Sequence, residues 1–190
     1  MPEPEEAIVR RAQDGDREAF RTLFERYRDP VFGYVRRMVG DPELAADLAQ
    51  DVFLRAYQGL PRLKAPGAFR GWLYQIAANR VRDHWKSPRP EMLSLEGGGG
   101  EEGGGELAVA DTRPGPERVA VREHLRLAVS RAVEKLVPER QEVVLLHHLH
   151  GLEVREIARA LGLAEGTVKS RLGRARADLR RHLADWMEES

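Results

Sequence analysis

Cysteine is absent from the 190 residues, aromatic residues make up only 6% of them, and neither sign of charge is in excess, 31 Lys and Arg standing against 31 Asp and Glu. Each shortage excludes something. Without cysteine there is no disulfide framework, thiolate zinc site or thiol nucleophile, and the composition suits a reducing cytoplasm. No apolar run approaches the roughly 18 residues that span a bilayer. The opening MPEPEEAIVRR is acidic and lacks an apolar segment, so neither a membrane helix nor a secretory signal is expected. With 42% apolar and 33% charged residues, the chain has the make-up of a soluble protein of one or two small domains. At face value the balanced charge also argues against a polyanionic partner.

What is plentiful is glycine and proline, in one place. Residues 88–116 hold 8 of the 18 Gly and 4 of the 11 Pro, with 6 acidic against 2 basic side chains. That composition marks a flexible acidic linker, able to reach about 96 Å if pulled taut. Residues 1–87 carry 15 basic and 13 acidic groups, and residues 117–190 carry 14 and 12. The neutral total is therefore a sum over two mildly basic domains, 1–87 and 117–190, and the acidic linker between them.

Both flanks show helical spacing without sustained alternation, which predicts an all-α protein of two small helical domains. Asp16 and Asp41 punctuate the first domain; Asp41-Pro42-Glu43 supplies an N-cap acceptor, a proline where no donor is needed and a carboxylate at the positive dipole end. The helix that follows has a core stripe of Leu44, Leu48, Val52 and Ala56, flanked by Ala45, Ala49 and Phe53. Asp47, Gln50, Asp51, Leu54 and Gln58 form a second stripe, which is either solvated surface or an acidic partner face around one apolar anchor. After the loop 61–71, Phe69, Leu73, Ile76, Ala77 and Val81 line a core face, with Gln75, Asn79, Arg82 and Lys86 opposite. Trp72, Tyr74 and Trp85 fall among these amides and cations. Aromatic faces stack on unpaired bases and cations follow phosphates, so this helix suits single-stranded nucleic acid if its aromatics are not core residues.

The second domain is more specific. Residues 153–172 have helix-turn-helix spacing, with Ile157, Leu161, Leu163, Val168 and Leu172 apolar, Ala158 small where helices would cross and Gly162 at the turn. From Gly166 to Leu183 six cations, Lys169, Arg171, Arg174, Arg176, Arg180 and Arg181, face one acid, Asp178. This is the footprint of a recognition helix in a major groove. Ala164 stands where an N-cap Ser, Thr or Asp is expected. His147 and His148 invite a metal reading, but they should diverge by about 100° on a helix and no His-Glu-x-x-His arrangement accompanies them. No activated nucleophile, phosphate loop or acid–base pair is present, so the expectation is a non-enzyme without metal or cofactor.

Three segments in order, 47-DLAQDVFLRAY-57, 69-FRGWLYQIAANRVRDHW-85 and 151-GLEVREIARALGLAEGTVKSRLGRARADL-179, give the chain a resemblance to bacterial RNA polymerase sigma factors. The group is the extracytoplasmic-function (ECF) group of the sigma-70 family, whose DNA-binding domains are called regions 2 and 4. The resemblance implies that Asp47, Gln50, Asp51 and Leu54 dock on the clamp helices of core polymerase, while region 4 meets its flap. It also implies that loop 61–71 with Trp72, Tyr74, Asn79 and Arg82 engages the melted non-template strand at the minus-ten element. Lys169, Ser170 and Arg174 would read the duplex minus-thirty-five element, and Thr167 and Arg171 would hold its phosphates. An anti-sigma partner and a cytoplasmic location are implied as well. Gly173 departs from the pattern, since many relatives carry a larger side chain in that slot. The alternative is a stand-alone helix-turn-helix regulator, which would bind its operator without polymerase.

Overall fold

The computed structural model describes residues 3–86 and 116–189. The expected linker, 88–116, lies outside the described residues except for Pro116, which opens a helix. All regular elements among the described residues are helical, and they fall into two compact units, one before and one after residues 87–115. Each unit is described by itself.

The first unit contains α1 (Glu5–Gln13), α2 (Arg17–Val39), α3 (Pro42–Gly59) and α4 (Phe69–Lys86). Both expected starts are present. Asp16 accepts from the Glu18 and Ala19 N–H groups at 3.0 and 3.1 Å, and Asp41 from Glu43 and Leu44 at 2.8 and 3.2 Å, so each satisfies donors that the first turn of a helix leaves orphaned. Helix α2 packs against α1, α3 and α4, and it runs on through Pro30 despite the backbone bond that a proline removes. Its aromatic residues set its neighbours. Phe20 meets Tyr57 and Phe24 meets Phe53 of α3 at centroid separations of 4.9 and 4.8 Å; Tyr27 meets Phe69 and Tyr34 meets Tyr74 of α4 at 5.6 and 5.8 Å. All four contacts are edge-on, the arrangement the ring quadrupole favours. Val31, Val35, Val52, Ala56, Leu73 and Val81 close the core around them. Leu44 and Ile76, expected in the core, are half-buried at its margin.

The second unit contains α5 (Pro116–Glu134), α6 (Pro138–Val144) with a wider turn over Leu145–Leu149, α7 (Val154–Leu161) and α8 (Glu165–Glu189). Helix α8 rests on α5, α6 and α7 through Val168, Leu172 and Ala175, against a core that includes Val143, Leu146, Leu152 and Ile157. Leu179 and Leu183, farther along the same face of α8, are half-buried. The turn between α7 and α8 has its own logic. Gly162 adopts φ +66°, its N–H donates to the Arg159 carbonyl at 3.3 Å, and the Leu163 N–H donates to Ala158 at 2.8 Å, which together form a Schellman ending. Ala164 then precedes α8 without a side-chain acceptor, as its residue type requires.

A Cβ at Gly162 would meet no atom within 4 Å, so the cost of replacing this glycine is purely conformational. Gly162→Ala is expected to lower stability by about 1–2 kcal/mol. Gly166→Ala, equally uncrowded but without a positive φ, is expected to be neutral or stabilising by up to about 1 kcal/mol. Urea midpoints of the two variants measure the difference.

Candidate polymerase and nucleic-acid surfaces

The acidic stripe of α3 forms one wall of an open groove whose apolar floor was not anticipated. Asp47, Gln50, Asp51 and Leu54 line it together with Phe20, Phe24, Phe53 and Tyr57. Leu54 is 55% exposed and Tyr57 50%, so the half-open end of the aromatic contacts between α2 and α3 is presented to solvent beside the carboxylates. The residues missed were Phe20, Phe24 and Tyr57. A signal existed in Phe20 and Phe24 at i and i+4, but the groove needs two helices to be assembled before it can be seen. Asp51 is also less available than a simple surface acid. It accepts from Arg55 Nε at 3.1 Å and is ion-paired with Arg80 of α4, which also reaches Asp83 at 3.4 Å. The carboxylate thus joins the outer face of α3 to α4.

On α4 the expected base-facing set divides. Asn79 is exposed and its amide oxygen accepts from Arg82 Nη2 at 2.8 Å, while Arg82 Nε donates to the Ala78 carbonyl at 3.3 Å. Trp72 is half-buried: its ring lies 6.0 Å from Phe69 and against Gly59, where a Cβ would approach Trp72 Cζ2 to 3.0 Å. Trp85 is 49% exposed. Tyr74 is a correction. It is 1% exposed and stands edge-on to Tyr34 in the core, so its face cannot stack on a base. With Ala77, Ala78 and Val81 it occupies i, i+3, i+4 and i+7, the buried stripe of this helix. Burial also pushes its phenol far above the ordinary tyrosine range, so it stays neutral.

On α8, Thr167, Lys169, Ser170 and Arg174 are exposed and Arg171 is half-buried. Asp178, the one acid expected among the cations, is turned inward. It bridges Arg140 of α6 and Arg181 of α8 with 13% of its side chain exposed, and the Arg140 hydrogen bond holds its carboxyl below the usual carboxylate range. The acid therefore clamps α8 to α6. Gly173 lies on the exposed face, where a Cβ would meet nothing within 4 Å. His147 and His148 do not diverge as expected, because the wider turn brings their rings to 4.7 Å. His147 Nδ1 lies 2.8 Å from the Leu152 carbonyl, a hydrogen bond that ties the turn to the start of the helix-turn-helix. Among the described residues no three His, Asp or Glu converge as a metal site, and no helix is long and apolar enough to cross a membrane.

Two known family models match the chain. Residues 23–90 match the family model of sigma-70 region 2 and residues 126–179 that of sigma-70 region 4. The chain is 30% identical to RNA polymerase sigma-H factor of Pseudomonas aeruginosa over 190 residues, covering 99% of this chain and 98% of that one. To the ECF RNA polymerase sigma-E factor of Escherichia coli it is 32% identical over 177 residues, covering 90% of each. Among solved structures it is similar to CnrH in complex with the cytosolic domain of CnrY, with a TM-score of 0.66 and 25% identity over 95% of this chain and 97% of that one.

A core role and a base-stacking role for Tyr74 make different predictions. Tyr74→Ala is expected to lower stability by about 3–5 kcal/mol, as loss of a buried aromatic does. Thermal unfolding of Tyr74→Ala beside Asn79→Ala checks this, and Asn79→Ala should unfold close to wild type.

Proposed function

The chain belongs to the ECF group of the sigma-70 family, and from that premise we propose how its two units share the work of promoter recognition. As a sigma factor it binds RNA polymerase core and directs promoter-specific initiation, without bond-making chemistry of its own. Residues 1–87 act as region 2 and residues 117–190 as region 4, with 88–116 setting the reach between two sites on one promoter. The groove of α2 and α3 receives the clamp helices of core: Leu54, Phe24 and Tyr57 provide apolar anchors, and Asp47 and Asp51 meet basic groups. An anti-sigma protein that covered the same groove would hold the chain inactive.

Loop 61–71 and the exposed part of α4, with Trp72, Asn79 and Arg82, capture the non-template strand at the minus-ten element. Tyr74 contributes from inside the core by holding α4 in place. Capture of an extruded base offsets unstacking and unpairing, which cost a few kcal/mol. On α8, Lys169, Ser170 and Arg174 read duplex bases of the minus-thirty-five element, while Thr167 and Arg171 hold phosphates. One observation favours this reading over a stand-alone regulator: the α2–α3 groove gives the unit without the helix-turn-helix an apolar partner site edged by acids.

Run-off transcription on a promoter library tests the whole reading: specific products are expected only when this chain and core polymerase are combined, and tight operator binding by the chain alone would support a stand-alone regulator instead. Arg174→Ala is expected to cost about 1–3 kcal/mol at the upstream element and to relax its base preference, measured on a panel of substituted promoters. Leu54→Glu changes an exposed side chain, so it should weaken binding to core without lowering the unfolding midpoint. Co-elution with core at wild-type affinity would remove the groove from that role.

A further inference from the structure

The segment between α3 and α4 is shaped by a helix far from it in sequence. Residues 60–68 make two single turns, Leu60–Arg62 and Pro66–Ala68, each closed by a local bond: Leu63 N–H to the Leu60 carbonyl at 3.0 Å and Ala68 N–H to Ala65 at 2.9 Å. Leu60 is anchored in the core, whereas Arg62, Lys64 and Ala65 are exposed. Gln13, the last residue of α1, reaches across to this segment. Its Nε2 donates to the Leu60 carbonyl at 3.1 Å and to the Leu63 carbonyl at 2.7 Å, over sequence separations of 47 and 50 residues. A primary amide has two N–H hydrogens, so one half-buried side chain serves the carbonyls at the start of the first turn and just beyond its end. The second turn also rests on α1: a Cβ at Gly67 would lie 2.5 Å from Glu6 Oε1.

We propose that Gln13 is the positioning residue of the minus-ten reading loop: it fixes the backbone around residues 60–63 so that residues 62–65 meet the extruded base in one conformation. The proposal rests on the reading of loop 61–71 as the base-capturing segment. Its physical basis is pre-organisation. A loop that must be ordered at the moment of binding spends affinity on that ordering, and one already held does not. Residue type matters too: a carboxylate here would face two carbonyl oxygens, and a thioether of nearly the same shape as glutamine would take its donor from the Leu63 carbonyl and leave the Leu60 carbonyl with the Leu63 N–H alone.

The test uses the full chain in holoenzyme with core polymerase, on promoters substituted base by base through the minus-ten element. Gln13→Met is expected to reduce discrimination between the preferred and the substituted base about tenfold, on duplex and on pre-melted templates alike, the effect of one lost half-buried hydrogen-bonding set. Affinity for core and binding to the minus-thirty-five element should stay at wild-type levels. Gln13→Lys, which retains donors, should keep most of the discrimination, and Gln13→Glu should lose it; this second pair preserves the test if Gln13→Met folds poorly. Unchanged base preference in both Gln13→Met and Gln13→Glu, or a uniform loss of activity that follows the unfolding midpoint, would overturn the proposal. A control separates the two levels of the argument. If Leu63→Gly, Lys64→Gly and Ala65→Gly together leave minus-ten preference unchanged, it is the assignment of the loop that fails, and the role of Gln13 falls with it.

Discussion

The edge-on aromatic contacts of α2 are the constraint on which the first unit depends. The chain is poor in aromatic residues, yet it places five of them on one helix and aims four, Phe20, Phe24, Tyr27 and Tyr34, at rings on α3 or α4. Such pairs are worth about 0.5–1.5 kcal/mol each beyond the area they bury, and they are directional, so they fix the rotation of the neighbouring helices as well as their distance. Rotation decides what each helix shows to the outside. With Phe53 and Tyr57 turned toward α2, the acids of α3 edge the groove; with Phe69 and Tyr74 turned inward, Asn79 comes to the surface of α4.

Much of this was legible in the sequence wherever the determining signal was local. The caps at Asp16 and Asp41, the turn at Gly162, the α3 stripe apart from half-buried Leu44, and the apolar Val168 and Leu172 of α8 depend on residues within a few positions of one another, and the structure has them. The acidic stripe was legible as exposed surface for the same reason. Tyr74 was misread because Trp72, Tyr74 and Trp85 lie on one helix and only the partner helix decides which ring enters the core. Its spacing with Ala77, Ala78 and Val81 carried the answer, but small alanines are a weak marker of a buried face. The groove, the Asp51–Arg80 ion pair and the reach of Gln13 join residues between about 20 and 50 positions apart, and no period in the sequence encodes them. The histidines failed in another way, because the 100° rule assumes an α-helix and the backbone there takes a wider turn.

Charge is distributed by the same economy. Several ion pairs of the first unit are solvent-exposed, and pairs of that kind typically contribute about 0–1 kcal/mol. They keep the surface mixed in sign more than they hold the fold. In the second unit Asp178 is withdrawn into a bridge with Arg140, which leaves the exposed side of α8 between Gly166 and Leu183 to its cations. A chain whose formal charge is zero can therefore still present a basic helix, because position and not total determines what a polyanion meets.

Gly173 gives the recognition helix a position with an unusual freedom. Its backbone is helical, its would-be Cβ has open space and no neighbour leans on it, so most residue types could be installed there while gaining about 1 kcal/mol of helix stability. At the buried positions of α8, Val168, Leu172 and Ala175, a change of side chain is judged by the fold first. At Gly173 the fold has no veto, and on the proposed reading of α8 as the helix that meets duplex DNA, selection there can act on promoter sequence. On that reading, duplicated copies of such a gene diverge in the sites they read by single substitutions at residue 173, each remaining foldable at every step.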